Sequence, residues 1–190
     1  MKIQELISEA YSLGNMPEIT DSEYQTAYGG LLSKSTKVAD VRDNIELYRW
    51  NEIYLLVKDQ GTVIGHIKLT PITIAGKQYL NLDNIFVSIP YRKTSATYWL
   101  LYAVKEQADM PVIADGAIFA DGQNLIKSIL KHKVFNVSSI NTNTGKIQPL
   151  SGMLNSADYA YLFTTSKLGF GKQIFEGGLP FTWYPLFENL

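Results

Sequence analysis

The 190-residue chain contains no cysteine, which excludes disulfides, thiolate zinc centres and cysteine nucleophiles. Its two histidines, His66 and His132, are too few for a histidine-built metal site. Charge of one sign is scarce as well, because 17 Lys and Arg against 18 Asp and Glu leave a net charge of −1. That balance supplies none of the basic field that draws proteins onto nucleic acid. No stretch reaches the ~20 consecutive apolar residues of a membrane-spanning helix. Glu5 and Glu9 interrupt the opening segment MKIQELISEAY where a signal peptide needs an apolar core. The expectation is a soluble, cytoplasmic protein with no membrane span.

What is present is the composition of an ordinary globular protein, 46% apolar and 18% charged, in a length that suits one domain with a sizeable core. Residues 2–13 place Ile3, Leu6, Ile7, Ala10 and Tyr11 on one helical face, closed by Gly14 and Pro17. A second helix is expected over 20–33. It opens with the capping-box pattern Thr20-Asp21-Ser22-Glu23 and carries Tyr24, Ala27, Tyr28, Leu31 and Leu32 on its apolar face.

From Ile45 the apolar period changes to about two, giving strands through Ile53–Val57, Val63–Leu69 and Tyr79–Ile89. Lys58-Asp59-Gln60-Gly61 and Ala75-Gly76-Lys77 are the turns between them. Gly65, inside a strand, predicts a bulge or a close backbone approach. Ala96, Trp99, Leu100, Ala103 and Val104 then have helical spacing over 95–108. A short buried strand is expected over 111–115 and a helix over 123–133, with Leu125, Ile126, Ile129 and Leu130 inward. Residues 136–155 read as loop or irregular hairpin. The last stretch is aromatic, from Tyr159, Tyr161 and Phe163 through Phe170, Phe175, Phe181, Trp183, Tyr184 and Phe187, and reads as closing strands or as an arm that meets a partner.

The segment with most chemical promise is VSIPYRKTSATYW, residues 87–99. A strand ends, the chain turns at Pro90, two cations follow at Arg92 and Lys93, and a helix begins. Backbone amides converging at a helix start make an anion nest.

A meander of strands, a strand ending in V-x-x-P-Y-R, a helix, a short strand and a further helix with Gln123-Asn124 resembles the GNAT N-acyltransferase superfamily over roughly residues 50–135. The resemblance implies a GNAT-like α/β (α+β) fold: a mixed, mostly antiparallel sheet flanked by helices in residues 1–135, with residues 136–190 as C-terminal strands or arm on the same domain. It implies transfer of an acetyl group from acetyl-CoA to an amine, small-molecule or protein. The pyrophosphate would lie over Arg92, Lys93, Ser95, Ala96 and Thr97, the acyl carbonyl against backbone near Val87, and Asn124 beside the cofactor, with Asp83 or His66 relaying the proton and Asp115 as a third candidate base. Ser95 and Thr97 replace the small glycine or alanine of the family's loop, and Lys131 replaces the tyrosine that protonates the leaving thiolate.

Each residue also has a plainer reading. Arg92 and Lys93 suit a solvated basic turn, Asp83 a strand residue satisfying loop donors, His66 a structural strand position and Asn124 a helix N-cap. Those departures support a second function class, a GNAT-like scaffold without chemistry that binds a protein partner or a second copy through its aromatic end. The cysteine-free texture, rich in Asn, Thr and Tyr, is similar to that of bacteriophage proteins, which would place such a scaffold in a virion or its assembly.

Overall fold

The computed structural model describes residues 20–42, 44–92, 96–116, 120–132 and 135–165. The expected helix over 2–13, the residues Lys93 and Ser95, and the aromatics beyond 165 lie outside the described residues.

Helix α1 (Asp21–Leu32) is followed by five strands: β1 (Thr36–Arg42), β2 (Ile45–Trp50), β3 (Ile53–Lys58), β4 (Thr62–Ile74) and β5 (Lys77–Val87). A 3-10 turn (Ile89–Tyr91) leads to α2 (Ala96–Gln107), β6 (Val112–Asp115), α3 (Ala120–His132), β7 (Phe135–Asn141), β8 (Ile147–Pro149) and β9 (Tyr159–Thr165). The nine strands form one mixed sheet in the order β1-β2-β3-β4-β5-β6-β9-β7-β8. All neighbours are antiparallel except β5 and β6. No helix among the described residues is long and apolar enough to cross a membrane.

The capping box at the start of α1 forms as the sequence predicts: Thr20 Oγ1 accepts from the Glu23 amide at 3.3 Å, and the Thr20 amide donates to Glu23 Oε2 at 2.9 Å. Two amides that a helix start leaves without partners are thereby satisfied. Tyr24, Tyr28 and Leu31 of α1 then bury against Ile53, Leu55, Val57 and Val63 on one face of the sheet. The opposite face carries Ile64, Ile67, Leu69 and Val87, covered by Leu100, Leu101 and Val104 of α2 and by Ile126 and Ile129 of α3. Strand alternation sends Val112 to the helix-covered core and its neighbour Ile113 to a third cluster with Ile74, Tyr79, Ile140 and Leu162. That third cluster seats the far end of the long β4–β5 hairpin on strands β6, β9 and β7.

Two bulges shape the hairpin strands. Leu56 faces Gly65 while Val57 faces Val63, so Ile64 is an extra residue on β4. Gly65 is tightly packed: a Cβ there would lie 3.0 Å from the Phe86 carbonyl oxygen and 3.3 Å from Leu100 Cδ2, so those neighbours would have to give by a few tenths of an ångström. The second bulge sets Asp83 as an extra residue on β5, because Lys68 faces Asn84 while Leu69 faces Leu82.

Strand β1 is not among the expected elements, and β8 pairs with β7 as the irregular hairpin that is one reading of residues 136–155. Each is an edge strand, and with only one buried side chain in β1 and none in β8 they lack the apolar alternation by which strands are recognised. Helix α3 begins at Ala120, ahead of the expected 123. Asn124 is therefore an exposed residue inside the helix, which corrects its reading as an N-cap.

Candidate functional site

The parallel pair β5 and β6 is short. Leu80 faces Val112, Asn81 faces Ile113, and the Leu80 amide donates to the Pro111 carbonyl at 2.9 Å. Pairing stops there, although β6 runs on beside β9 as far as Asp115 facing Ala160. The bulge at Asp83 follows two residues after the last pair and changes the twist and phase of β5. From Leu82 to Val87, β5 has no strand partner on its β6 side among the described residues.

The backbone of Val87 faces that opening. The Ser88 amide donates to the Ile64 carbonyl at 3.0 Å, so the Ser88 N–H points toward β4, while its carbonyl accepts from the Tyr91 amide at 2.9 Å. Strand alternation then turns the N–H and C=O of Val87 the other way. Its carbonyl accepts from Arg92 Nε at 3.2 Å, as that direction requires. The Val87 side chain is buried beneath α2. Arg92 itself is exposed, with its guanidinium carbon 5.1 Å from the centre of the Phe86 ring.

Ala96 and Thr97 lie in the first turn of α2. The Ala96 side chain is fully buried in the core, while Thr97 is half-buried. Asn124 is exposed on α3, and Lys131 is exposed at its other end. Tyr98 ties α2 to α3 through a 2.5 Å hydrogen bond with Ser128, and burial pushes its phenol above the ordinary range.

Asp83 sits at the start of the opening, on the sheet face that α1 shares. Its position follows from its partners: Lys68 and Thr70 alternate along β4 with Ile67 and Leu69, which enter the core under α2. Asp83 accepts from Thr70 Oγ1 and, at 2.8 Å, from Asn81 Nδ2, and Lys68 Nζ stands 3.7 Å away. The strand alternation of polar residues, Lys68 with Thr70 and Asn81 with Asp83, was the signal in the sequence for this cluster. Asp115 is an exposed residue at the end of β6.

His66 is on the same sheet face but sealed beneath α1. Its Nδ1 lies 3.1 Å from Tyr24 Oη and its Nε2 lies 3.1 Å from Tyr28 Oη. Tyr28 stacks on the imidazole with ring centres 4.1 Å apart, and Phe86 stands 5.8 Å away on another side. Burial holds the imidazole at a pKa of about 3, opposed by a weaker contribution from Asn84. A neutral ring with one nitrogen donating and the other accepting satisfies both tyrosines. This corrects the expectation that His66 relays a proton: both nitrogens are engaged by core tyrosines, and the side chain is 3% exposed.

Asp83, Val87 and Arg92 thus follow one another along and just past β5, Asp83 on the α1 face beside Lys68 and Thr70 and the Val87 side chain beneath α2, with Ala96 and Thr97 in the first turn of α2. The structure separates His66, which is enclosed, and Asn124, which is on the outside of α3. No protein-family model matches the chain, and no curated protein matches it.

Proposed function

We propose that the chain is a GNAT-like N-acyltransferase that takes an acetyl group from acetyl-CoA and passes it to an amine. The observation that carries this reading is the parting of β5 from β6 beyond Asn81 and Ile113, on the strand that leads through the Ile89–Tyr91 turn and Arg92 towards α2. A strand that shows its N–H and C=O groups to an open side binds amide-bearing chains by completing the ladder. The amides of a pantetheine arm have that chemistry, and its thioester carbonyl would take a hydrogen bond from the Val87 N–H. The amides at the start of α2, with Arg92 beside them, would hold the pyrophosphate. Asp83, fixed by Thr70 and Asn81 at the parting point, would accept the proton that the acceptor amine must lose.

Calorimetric titration with acetyl-CoA tests the reading. Micromolar binding that weakens at least about tenfold in Arg92→Glu is expected, since a charge reversal beside a phosphate removes a charge-assisted contact. Absence of binding to the unmodified chain overturns it.

A second reading, a GNAT-like scaffold that binds a protein partner, in a phage particle or elsewhere, is favoured by the enclosure of His66 and by Lys131 in the tyrosine's place. It predicts no acetyl-CoA binding, so the same titration separates the two.

A further inference from the structure

We infer that a small cavity beside the end of α2 binds a short α-amino acid, with Arg49 taking its carboxylate and Glu52 and Asp109 its ammonium. The site is separate from the β5–β6 opening, and the inference does not rest on the acyltransferase reading. The opening begins beyond Asn81 and Ile113, whereas the cavity meets β5 at Leu80, which is still paired with Val112. Its floor belongs to the helix-covered core through Tyr54, Leu69 and Leu80. Asp109 and Met110 join it where the chain leaves α2 at Gln107 and turns into β6.

Local structure sets the polar groups around it. Arg49 stands directly opposite Tyr54 in the β2–β3 ladder, with its guanidinium carbon 5.2 Å from the centre of the tyrosine ring and its Nε donating to the Asn51 carbonyl at 3.0 Å. The turn between those strands is Asn51-Glu52, and the Glu52 carbonyl accepts from the Leu69 amide at 2.9 Å, which fixes the turn against β4. Arg49, Glu52 and Asp109 therefore line one cavity. Yet among the described residues neither carboxylate forms an ion pair with the guanidinium, whose two Nη groups have no hydrogen-bond partner. Tyr54 supplies an independent sign of a ligand. It is 3% exposed, and its hydroxyl makes no hydrogen bond among the described residues, although a buried hydroxyl without a partner costs free energy. Burial pushes this phenol above the ordinary range, while Arg49 pulls it down and Asp109 raises it further. The hydroxyl is thus within electrostatic reach of a cation and an anion of the rim.

Opposite charges that line one cavity without pairing match a ligand that carries both. A lone carboxylate would be repelled by Glu52 and Asp109, and a lone amine by Arg49. An α-amino acid holds an ammonium and a planar carboxylate on one carbon, and the carboxylate can take two parallel bonds from a guanidinium fork. Its side chain meets the apolar lining of Pro71, Leu80 and Met110, and the Tyr54 hydroxyl gains the partner it lacks. The cavity volume of about 80 Å³ sets the size. That is the share of roughly three water molecules, enough for about six non-hydrogen atoms and too little for a nucleotide.

The test is an NMR titration of the isotope-labelled full chain with L-alanine. Saturable shifts are expected, with a dissociation constant below about 1 mM, centred on the amides of residues 49–54, 69–71 and 109–112. Propionate and isopropylamine each carry one of the two charges on a body of similar size, and each should bind at least about tenfold more weakly. Arg49→Gln should weaken L-alanine by about tenfold or more. Tyr54→Phe, which keeps the ring, should weaken it by about threefold or more. Thermal melts of both variants should stay close to that of the unmodified chain, since neither substitution removes a buried hydrogen bond, so the loss reads binding and not folding. Absence of saturable shifts at about 10 mM L-alanine overturns the inference, as do shifts centred elsewhere, or propionate or isopropylamine binding as tightly as the amino acid. Acetyl-CoA binding is measured separately, and neither result decides the other.

Discussion

Tyr28 and His66 are joined twice, by a 3.1 Å hydrogen bond between Oη and Nε2 and by stacked rings 4.1 Å apart. Since Tyr24 engages the other ring nitrogen, α1 is fastened to β4 by a polar contact at the centre of an apolar interface. Buried networks of this kind hold elements in one register, and they are costly to break.

That enclosure fixes how stability responds to acid. The folded-state pKa of His66 is about 3, below the ordinary 6.5 of an exposed histidine. Between those values the unfolded chain binds a proton that the folded chain refuses, so stability falls as pH drops through this window and is unaffected by His66 above it. The slope approaches ~1.4 kcal/mol per pH unit. Urea unfolding at pH 7 and pH 5 measures it, and equal midpoints would contradict the burial of a neutral imidazole.

Tyr28→Phe keeps the ring stack and removes the hydroxyl, leaving His66 Nε2 without that partner. A loss of about 1–3 kcal/mol is expected, the cost of an unsatisfied buried polar group. Denaturant melts at neutral pH check it.

Glycines at two turns should respond differently to alanine. At Gly116 a Cβ would stand 2.3 Å from the Tyr159 carbonyl oxygen and 2.6 Å from that of Ser156, so the backbone entering β9 must move. A destabilisation of about 1–3 kcal/mol is expected, as for other overpacked sites. Nothing lies within 4 Å of a Cβ at Gly61, and Gly61→Ala should be within about 0.5 kcal/mol of neutral. Thermal melts of the two variants side by side read the difference.

Thr20→Ala removes the side-chain acceptor at the start of α1 and the hydroxyl that donates to Glu23 Oε2 at 2.8 Å. A cost of about 0.5–2 kcal/mol is expected for a lost N-cap. Because α1 also covers His66, hydrogen exchange of the α1 amides should accelerate, and a lack of change there would show that the cap carries no weight.

Much of this was legible beforehand because it is local. Thr20 and Glu23 lie one helical turn apart, Lys58 to Gly61 form a turn among themselves, and the inward residues of α2 and α3 repeat at helical spacing, so each pattern needs only its neighbours to be read. The alternation that placed Ile67 and Leu69 inside is local in the same sense. What failed was equally physical. Asn124 reads as a cap in the sequence because a helix start has no marker when the residues ahead of it, Ala120 to Gln123, also suit a helix. The edge strand β1 was missed because it exposes most of its side chains to water.

The sequence by itself determined the helices α1 to α3, the strands β2 to β6 and a bulge or close backbone approach beside Gly65, each read from residues a few positions apart. Only the tertiary structure decided which faces were closed. His66 and Asp83 lie on the same side of one hairpin, yet α1 folds over the first and leaves the second at an opening. That difference depends on where distant segments pack, and on a one-residue slip in pairing that no local pattern encodes.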